Sequence, residues 1–231
     1  MNIVDPTKID ELFLDIFLHN KGCIENFKND FSKEIYEICE YMSISFKIYQ
    51  KFEESPNQTE QYLLLKAHIF SLVEALYTST KLLISGFLSP SGNLFRIALE
   101  TLSVSILLAN PHDVLIPNKK EPVRRNFFKS YENKEKWTKS HLALNILKTN
   151  KSEIGITEQA LSLLEEAKTH YNKHSHISFL YIRNNIIDSN RLRFGGGYEK
   201  SQHTIFFEEL TVRRLFLNKI PDFLEIMYKN A

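Results

Sequence analysis

Arg96, Glu100 and Ser103 are the residues of this 231-residue chain whose types and spacing first suggest chemistry. In a helix that turns about 100° per residue they fall on one narrow stripe. The other faces of the same segment, LFRIALETLSVSILLA, carry apolar side chains, so we expect protein to enclose the helix. A charged pair in such a place must be mutually paired. The stripe is therefore either a structural ion pair or narrow exposed seam, or a site that holds a ligand or catalyses a reaction.

A histidine cluster, HYNKHSH at residues 170–176, is the second candidate. On a continuous helix His170 and His174 share a face with Glu166, whereas His176 points about 160° away from His174. That geometry disfavours a metal site, and we expect neither a metal nor a cofactor. His174 also lies beside an apolar line, which is typical of a structural histidine. The competing hypothesis gives His174 or His176 an acid, base or phosphate-contacting role.

The third candidate is a basic segment at residues 119–139, with eight Lys and Arg against three Glu. Its aromatic residues are Phe127, Phe128, Tyr131 and Trp137. Phosphate contacts and base stacking use this mixture, so Arg124, Arg125 and Lys129 are predicted to contact nucleic acid. The alternative is that the aromatic residues belong to the core and the basic residues to its solvated face. Residues 1–60 have the opposite charge, with six Lys against twelve acidic residues.

Familiar catalytic and nucleotide-binding motifs are absent from the sequence. Gly195, Gly196 and Gly197 lack the GxxxxGK spacing and the following helix of a phosphate loop, which favours a flexible turn. No GxSxG, HExxH or DxDxDG occurs, and Cys23 and Cys39 form no CxxC pair. The motifs therefore leave open whether the chain is an enzyme.

Helical periodicity accounts for most of the chain. Helices are predicted at residues 5–22, 30–54, 59–87, from Ser91 or Asn93 to 108, across the basic region 121–149 with a break near Asn133, and from Thr157 through Tyr171. The helices on either side of Gly86 and Pro90 should form an antiparallel pair. Residues 191–207 instead suggest a small hairpin or mobile loop, and Pro221 interrupts a final helical tail.

These elements predict one all-α domain, a bundle of long antiparallel helices with a small β-hairpin or loop near residues 191–207. Acidic N-terminal helices occupy residues 1–55, core helices residues 59–185, and a C-terminal hairpin and tail residues 186–231. Only 7 Gly and 7 Pro leave little material for linkers. Charges interrupt the most apolar stretches, which predicts core helices and no membrane partner. The two cysteines and the start of the chain predict a cytoplasmic protein.

The order of these residues resembles uncharacterised all-helical bacterial proteins and, more distantly, HEPN (higher eukaryotes and prokaryotes nucleotide-binding) domains. The matching positions, within residues 60–185, are Arg96, Glu100, Tyr171, Ser175 and His176. The resemblance implies a helical bundle, with RNA or a nucleotide as ligand, in a defence or toxin–antitoxin system. HEPN ribonucleases typically carry an Arg a few residues before a His on one helix, and no Arg here has a His at that spacing.

Two functional hypotheses follow. In the first, an RNA- or nucleotide-directed protein has a composite site in which Arg96 holds a phosphate and Glu100 orients it or a water. His174 or His176 then transfers a proton. In the second, the chain is a non-enzymatic interaction module, and a second copy or another protein covers an exposed apolar face.

Overall fold

A computed structural model describes Lys8 and residues 21–117, 121–173, 186–188, 191–192 and 196–231. The helices are α1 (Lys21–Glu54), α2 (Glu60–Ile84), α3 (Leu88–Ala109), α4 (Phe127–Glu132), α5 (Ser140–Thr149), α6 (Lys151–Ile154), α7 (Glu158–Asn172), α8 (His203–Leu217) and α9 (Ile220–Asn230). The predicted all-α bundle is confirmed.

Helices α2 and α3 form the long antiparallel pair that the sequence predicts. Thr59 caps α2 by accepting a hydrogen bond from the Tyr62 amide at 3.3 Å. Gly86 then adopts a left-handed conformation, with φ of 83°, and the chain reverses. Helix α3 begins at Leu88, earlier than predicted, because Pro90 is tolerated in a first helical turn whose amides need no intrahelical partner.

Helix α1 packs against α2, α8 and α9. It already includes Gly22, where the sequence predicted an earlier helix to end, so that boundary is wrong. The rest of the helix predicted at residues 5–22 lies outside the described residues. A local break occurs at Phe31, with φ of −135° and ψ of 19°. Buried aromatic rings of Phe27 and Phe31 pack there against Tyr198, which ties α1 to the C-terminal part of the chain.

Two small antiparallel sheets interrupt the helices. Strands β3 (Ile186–Asp188) and β4 (Arg191–Leu192) form a hairpin that begins before the predicted range, and α8 occupies the end of that range. Strands β1 (Asp113–Leu115) and β2 (Arg124–Asn126) form a sheet that the sequence did not predict.

Residues Arg124–Asn126 of the basic segment therefore form a strand. Helix α4 follows only after Asn126, whose side chain caps it by accepting a hydrogen bond from the Lys129 amide at 3.0 Å. The predicted break near Asn133 is confirmed, since α4 ends there.

Helix α3 is the one described helix that is long and apolar enough to cross a membrane. Within the bundle, however, 67% of its most apolar window is buried against other parts of the chain. Helices α2, α5, α7 and α9 supply those contacts. This burial is typical of a core helix. A core helix is what the sequence predicted for the segment, because charged residues interrupt it.

Three glycines make a close backbone contact between the α2–α3 turn and the segment before α8. The Gly197 amide donates to the Gly86 carbonyl oxygen at 3.3 Å. A Cβ added at Gly86 would lie 2.2 Å from the Gly197 nitrogen, and one at Gly196 would lie 2.4 Å from the Ser85 carbonyl oxygen. At Gly196 and Gly197, the predicted flexible turn is therefore a packed contact against the α2–α3 turn.

We expect Gly86→Ala to destabilise the protein by about 3 kcal/mol or more, because it adds a backbone collision to an unfavourable φ. Gly155→Ala is the matched control, since Gly155 has φ of 76° and nothing within 4 Å of an added Cβ. Its cost should be the conformational part alone, about 1 kcal/mol. Urea denaturation measures both free energies of unfolding. Equal losses would contradict the proposed importance of the Gly86 contact.

Candidate functional site

The predicted ion pair on α3 forms. Arg96 Nη1 lies 2.8 Å from Glu100 Oε1, and the other carboxylate oxygen, Oε2, accepts a hydrogen bond from Ser140 Oγ at 2.8 Å. The side chains of Arg96 and Glu100 are 28% and 16% exposed, so the pair lies at an opening in the bundle rather than in a dry core. Ser140 is the first residue of α5, and Glu100 therefore also stabilises the positive N-terminal end of that helix.

A small cavity adjoins this pair between α3, α5 and α7. Its enclosed part has room for about one water molecule. The lining residues are Arg96, Leu99, Glu100, Ser103, Ser140, Leu144, Leu164 and Lys168. Ser103 was predicted to share the polar stripe, but it is buried and its hydroxyl donates back to the Leu99 carbonyl oxygen at 2.9 Å. The polar part of the cavity is therefore formed by the other lining residues.

Positive groups outnumber negative ones around the cavity. Arg96, Lys168 and the N-terminus of α5 are positive, and Glu100 is the single carboxylate among the described lining residues. The Nε atom of Arg96 is buried and bonds to no residue that the structure describes. Lys168 Nζ lies 3.2 Å from the His141 carbonyl oxygen, its acceptor. An arginine and a lysine beside a helix N-terminus can bind a phosphate oxygen.

The histidine cluster is only partly described. His174 and His176, the predicted proton-transferring residues, lie outside the described residues, as does Ser175. His170 Nε2 lies 2.9 Å from Glu209 Oε2, on the side of α7 that faces α8. Since two helical positions differ by about 200°, His170 and Lys168 project from different sides of α7. Within the described ranges, no group of three His, Cys, Asp or Glu side chains could hold a metal ion.

Sequence analysis missed a buried charged pair on α8. Arg213 Nε donates to Glu209 Oε1 at 2.8 Å, and the two side chains are 0% and 3% exposed. Arg213 also donates to the hydroxyls of Ser79 at 2.7 Å and Ser91 at 2.6 Å. Its guanidinium carbon lies 4.9 Å from the centre of the Phe95 ring. These contacts join α8 to α2 and α3 through one positive charge.

The missed pair has the same four-residue spacing as Arg96 and Glu100, within the segment TIFFEELTVRRLFL, which has four charged residues rather than two. That spacing could have revealed it. The neighbouring Glu208 and Arg214 obscured it, because two acidic and two basic residues along one helix are also typical of a solvated face; only Glu209 and Arg213 are four residues apart. In the structure Arg214 turns to α1, where it contacts Glu34 and Glu37.

Tyr171, one of the residues on which the predicted HEPN-like resemblance rests, belongs to the same buried region. Its ring stacks on Phe95 with centroids 4.4 Å apart. Burial, and secondarily the charge of Glu209, hold the pKa of Tyr171 well above its ordinary value. The side chain is therefore a neutral phenol. The side chain is fully buried in the core, where the centre of its ring lies 6.0 Å from the Arg213 guanidinium carbon.

The two arginines of the basic segment are paired. Arg124 contacts both Glu153 and the Asp113 carbonyl oxygen, and Arg125 Nη1 lies 2.8 Å from Glu135 Oε2. A hydrogen bond from the Trp137 indole, with further help from Ser130 and Arg125, lowers the pKa of Glu135. Lys129 is exposed. These pairings leave Lys129 as the predicted nucleic-acid contact most open to a ligand.

The aromatic residues of the basic segment pack inwards. Phe127 is buried, and the Trp137 ring meets it edge-on with centroids 5.7 Å apart. Tyr131 Oη lies 3.1 Å from His68 Nε2 on α2, where burial lowers the pKa of that histidine. These rings pack against the protein core, as the alternative interpretation of the segment expected.

We expect Arg213→Met to destabilise the protein by about 3–5 kcal/mol, because it leaves the Glu209 carboxylate buried without its cation. The neighbouring change Arg214→Met is the matched control. It removes a partly exposed pair and should cost about 1 kcal/mol or less. Adding Glu209→Leu to Arg213→Met should recover part of the loss in urea denaturation. Similar stabilities for the two single variants would contradict the proposed role of Arg213.

Comparisons with protein-family models, with curated proteins and with solved structures found no match.

Proposed function

We propose that the chain is an RNA- or nucleotide-directed helical protein that binds a phosphate group at the cavity between α3, α5 and α7. Arg96 and Lys168 contact the phosphate, and Glu100 holds Arg96 in position. The resemblance of Arg96 and Glu100 to the HEPN-like pattern suggests a cytoplasmic role in bacterial defence or a toxin–antitoxin system. Binding is proposed rather than RNA cleavage, since the Arg and His spacing of HEPN ribonucleases is absent.

The observation that carries the proposal is the concentration of cationic groups at an opening of the bundle. The Arg96 guanidinium has several N–H donors, and its one hydrogen bond within the described chain is to Glu100. Lys168 brings a second positive charge from α7, and α5 brings its N-terminus. Partial exposure of the pair lets a ligand reach it. By contrast, the Arg213 side chain on α8 has no exposed surface.

A non-enzymatic interaction module is the second candidate, and an exposed apolar stripe on α2 favours it. Leu63, Phe70 and Tyr77 recur every seven residues, which places them on one face. Their exposed fractions are 39%, 48% and 48%. A stripe of this kind is suited to covering by another helix. In this alternative Arg96 and Glu100 serve only to hold α3 and α5 together.

Binding of a fluorescent oligouridylate tests the phosphate site. We expect Lys168→Ala to weaken binding several-fold at low salt and to reduce the slope of log affinity against log salt by about one unit. Lys148→Ala is the matched control, because Lys148 on α5 pairs with Glu165 on α7 outside the cavity. It should leave affinity nearly unchanged. Replacing Arg124 and Arg125 with Ala should have the smaller effect expected of residues already paired. Equal losses at Lys168 and Lys148 would count against the site.

The double change Arg96→Met with Glu100→Leu separates the two candidate functions. A partly exposed ion pair contributes little to stability, and an apolar pair can replace it, so the double variant should unfold at a urea concentration close to that of the parent. If the cavity binds phosphate, this folded variant should lose oligouridylate binding. Retained binding contradicts the proposal. A dimer seen by light scattering and dissociated by Phe70→Ser, with no oligouridylate binding by the parent, would instead support the interaction module.

A further inference from the structure

We infer that Glu100 makes the cavity between α3, α5 and α7 selective for ribonucleotides, by accepting a hydrogen bond from a ribose hydroxyl beside the bound phosphate. The inference rests on the proposed phosphate-binding function and adds a substrate class to it. It assigns Glu100 a role beyond positioning Arg96.

The hydrogen bonds of Glu100 already include the interaction that a ribose would make. One carboxylate oxygen, Oε1, lies 2.8 Å from Arg96 Nη1. The other, Oε2, accepts from the aliphatic hydroxyl of Ser140 at 2.8 Å. A carboxylate oxygen has more than one lone pair, so Oε2 can accept a ligand hydroxyl together with Ser140 or in its place. A hydroxyl at this position also matches the size of the enclosed space, which holds about one water molecule.

A carboxylate in a phosphate site otherwise weakens binding. The bridging and terminal oxygens of a phosphodiester are hydrogen-bond acceptors, so they have no donor to offer Glu100. Like charges also repel across the short distance between a phosphate on Arg96 and the carboxylate. A ligand with a hydroxyl next to its phosphate instead offers a hydrogen-bond donor to the same carboxylate. Glu100 therefore weakens the binding of a phosphate alone and strengthens the binding of a phosphate that is accompanied by a hydrogen-bond donor.

Ribose supplies that combination. Its 2′-hydroxyl is both a donor and an acceptor, and it is the group by which proteins distinguish RNA from DNA. A deoxyribonucleotide offers the same phosphate without this donor. It would leave the carboxylate facing the phosphate with no ligand hydroxyl to bond. Because a hydrogen bond to a charged acceptor is stronger than one between neutral groups, the difference should be measurable in affinity.

The test compares oligouridylate with oligodeoxyuridylate of the same length, because the two probes share their bases and differ at the 2′ position. The full-length parent should bind the ribose form about tenfold more tightly. Glu100→Gln keeps the size of the side chain and removes its charge. It should bind the deoxyribose form more tightly than the parent does, and its preference for ribose should fall to about twofold. Glu165→Gln is the matched control on α7, outside the cavity, and should leave the parental ratio unchanged.

A second variant tests the inference if Glu100→Gln does not fold. Ser140→Ala removes the hydroxyl that now occupies Oε2, so the preference for ribose should remain or increase. Binding of neither probe by the parent overturns the phosphate-binding function itself. Equal binding of the two probes by the parent keeps that function and overturns the ribose inference. A Glu100→Gln variant that weakens both probes by the same factor also overturns it, because Glu100 then only positions Arg96.

Discussion

Arg213 is a full positive charge with no exposed side-chain surface, and the centre of the bundle is arranged so that this charge is never unpaired. Glu209 neutralises it from one turn away on α8. The hydroxyls of Ser79 and Ser91 accept its remaining hydrogen bonds, and each of those serines donates to the other's carbonyl oxygen, at 2.9 and 2.7 Å. The α2–α3 pair and α8 are thus joined at one point. An uncompensated charge there would cost more than many apolar contacts could restore.

The two pairs of arginine and glutamate show how the same four-residue spacing serves different purposes. On α8 the pair is enclosed, saturated with hydrogen bonds and stacked on Phe95, which leaves no access for a ligand. On α3 the pair opens to solvent and adjoins a cavity with a second cation. Burial alone would rank the α8 pair above the α3 pair as a candidate site. Access and spare donors make the α3 pair the better candidate for binding.

Local signals in the sequence were sufficient for much of the fold. Thr59 and Thr157 cap α2 and α7 through their own hydroxyls, and these short-range bonds are visible as sequence patterns. The sheet formed by β1 and β2 depends on pairing across a loop. Asn150, just after α5, reinforces this sheet: its side-chain oxygen accepts from the Leu115 amide, and its side-chain nitrogen donates to the Leu115 carbonyl oxygen. No local pattern contains that information, so the basic segment was predicted to be helical where it is a strand.

The candidate site was predictable to a similar extent. Arg96 and Glu100 were identified because one helix contains both residues. Ser140 and Lys168 were not, since they reach the same cavity from α5 and α7 and only tertiary packing brings them there. The proposed partnership with His174 and His176 remains a prediction. What the sequence lacked was a way to tell which side of α7 faces α3.

The backbone contact between Gly86 and Gly197 has a consequence for how the chain assembles. The two residues come from opposite halves of the sequence, so their contact closes a long loop and is expected late in folding. During synthesis the α2–α3 turn emerges from the ribosome well before the segment that covers it. Until then the turn remains open to water and to other proteins. The segment before α8 thus completes a surface that the α2–α3 pair leaves unfinished.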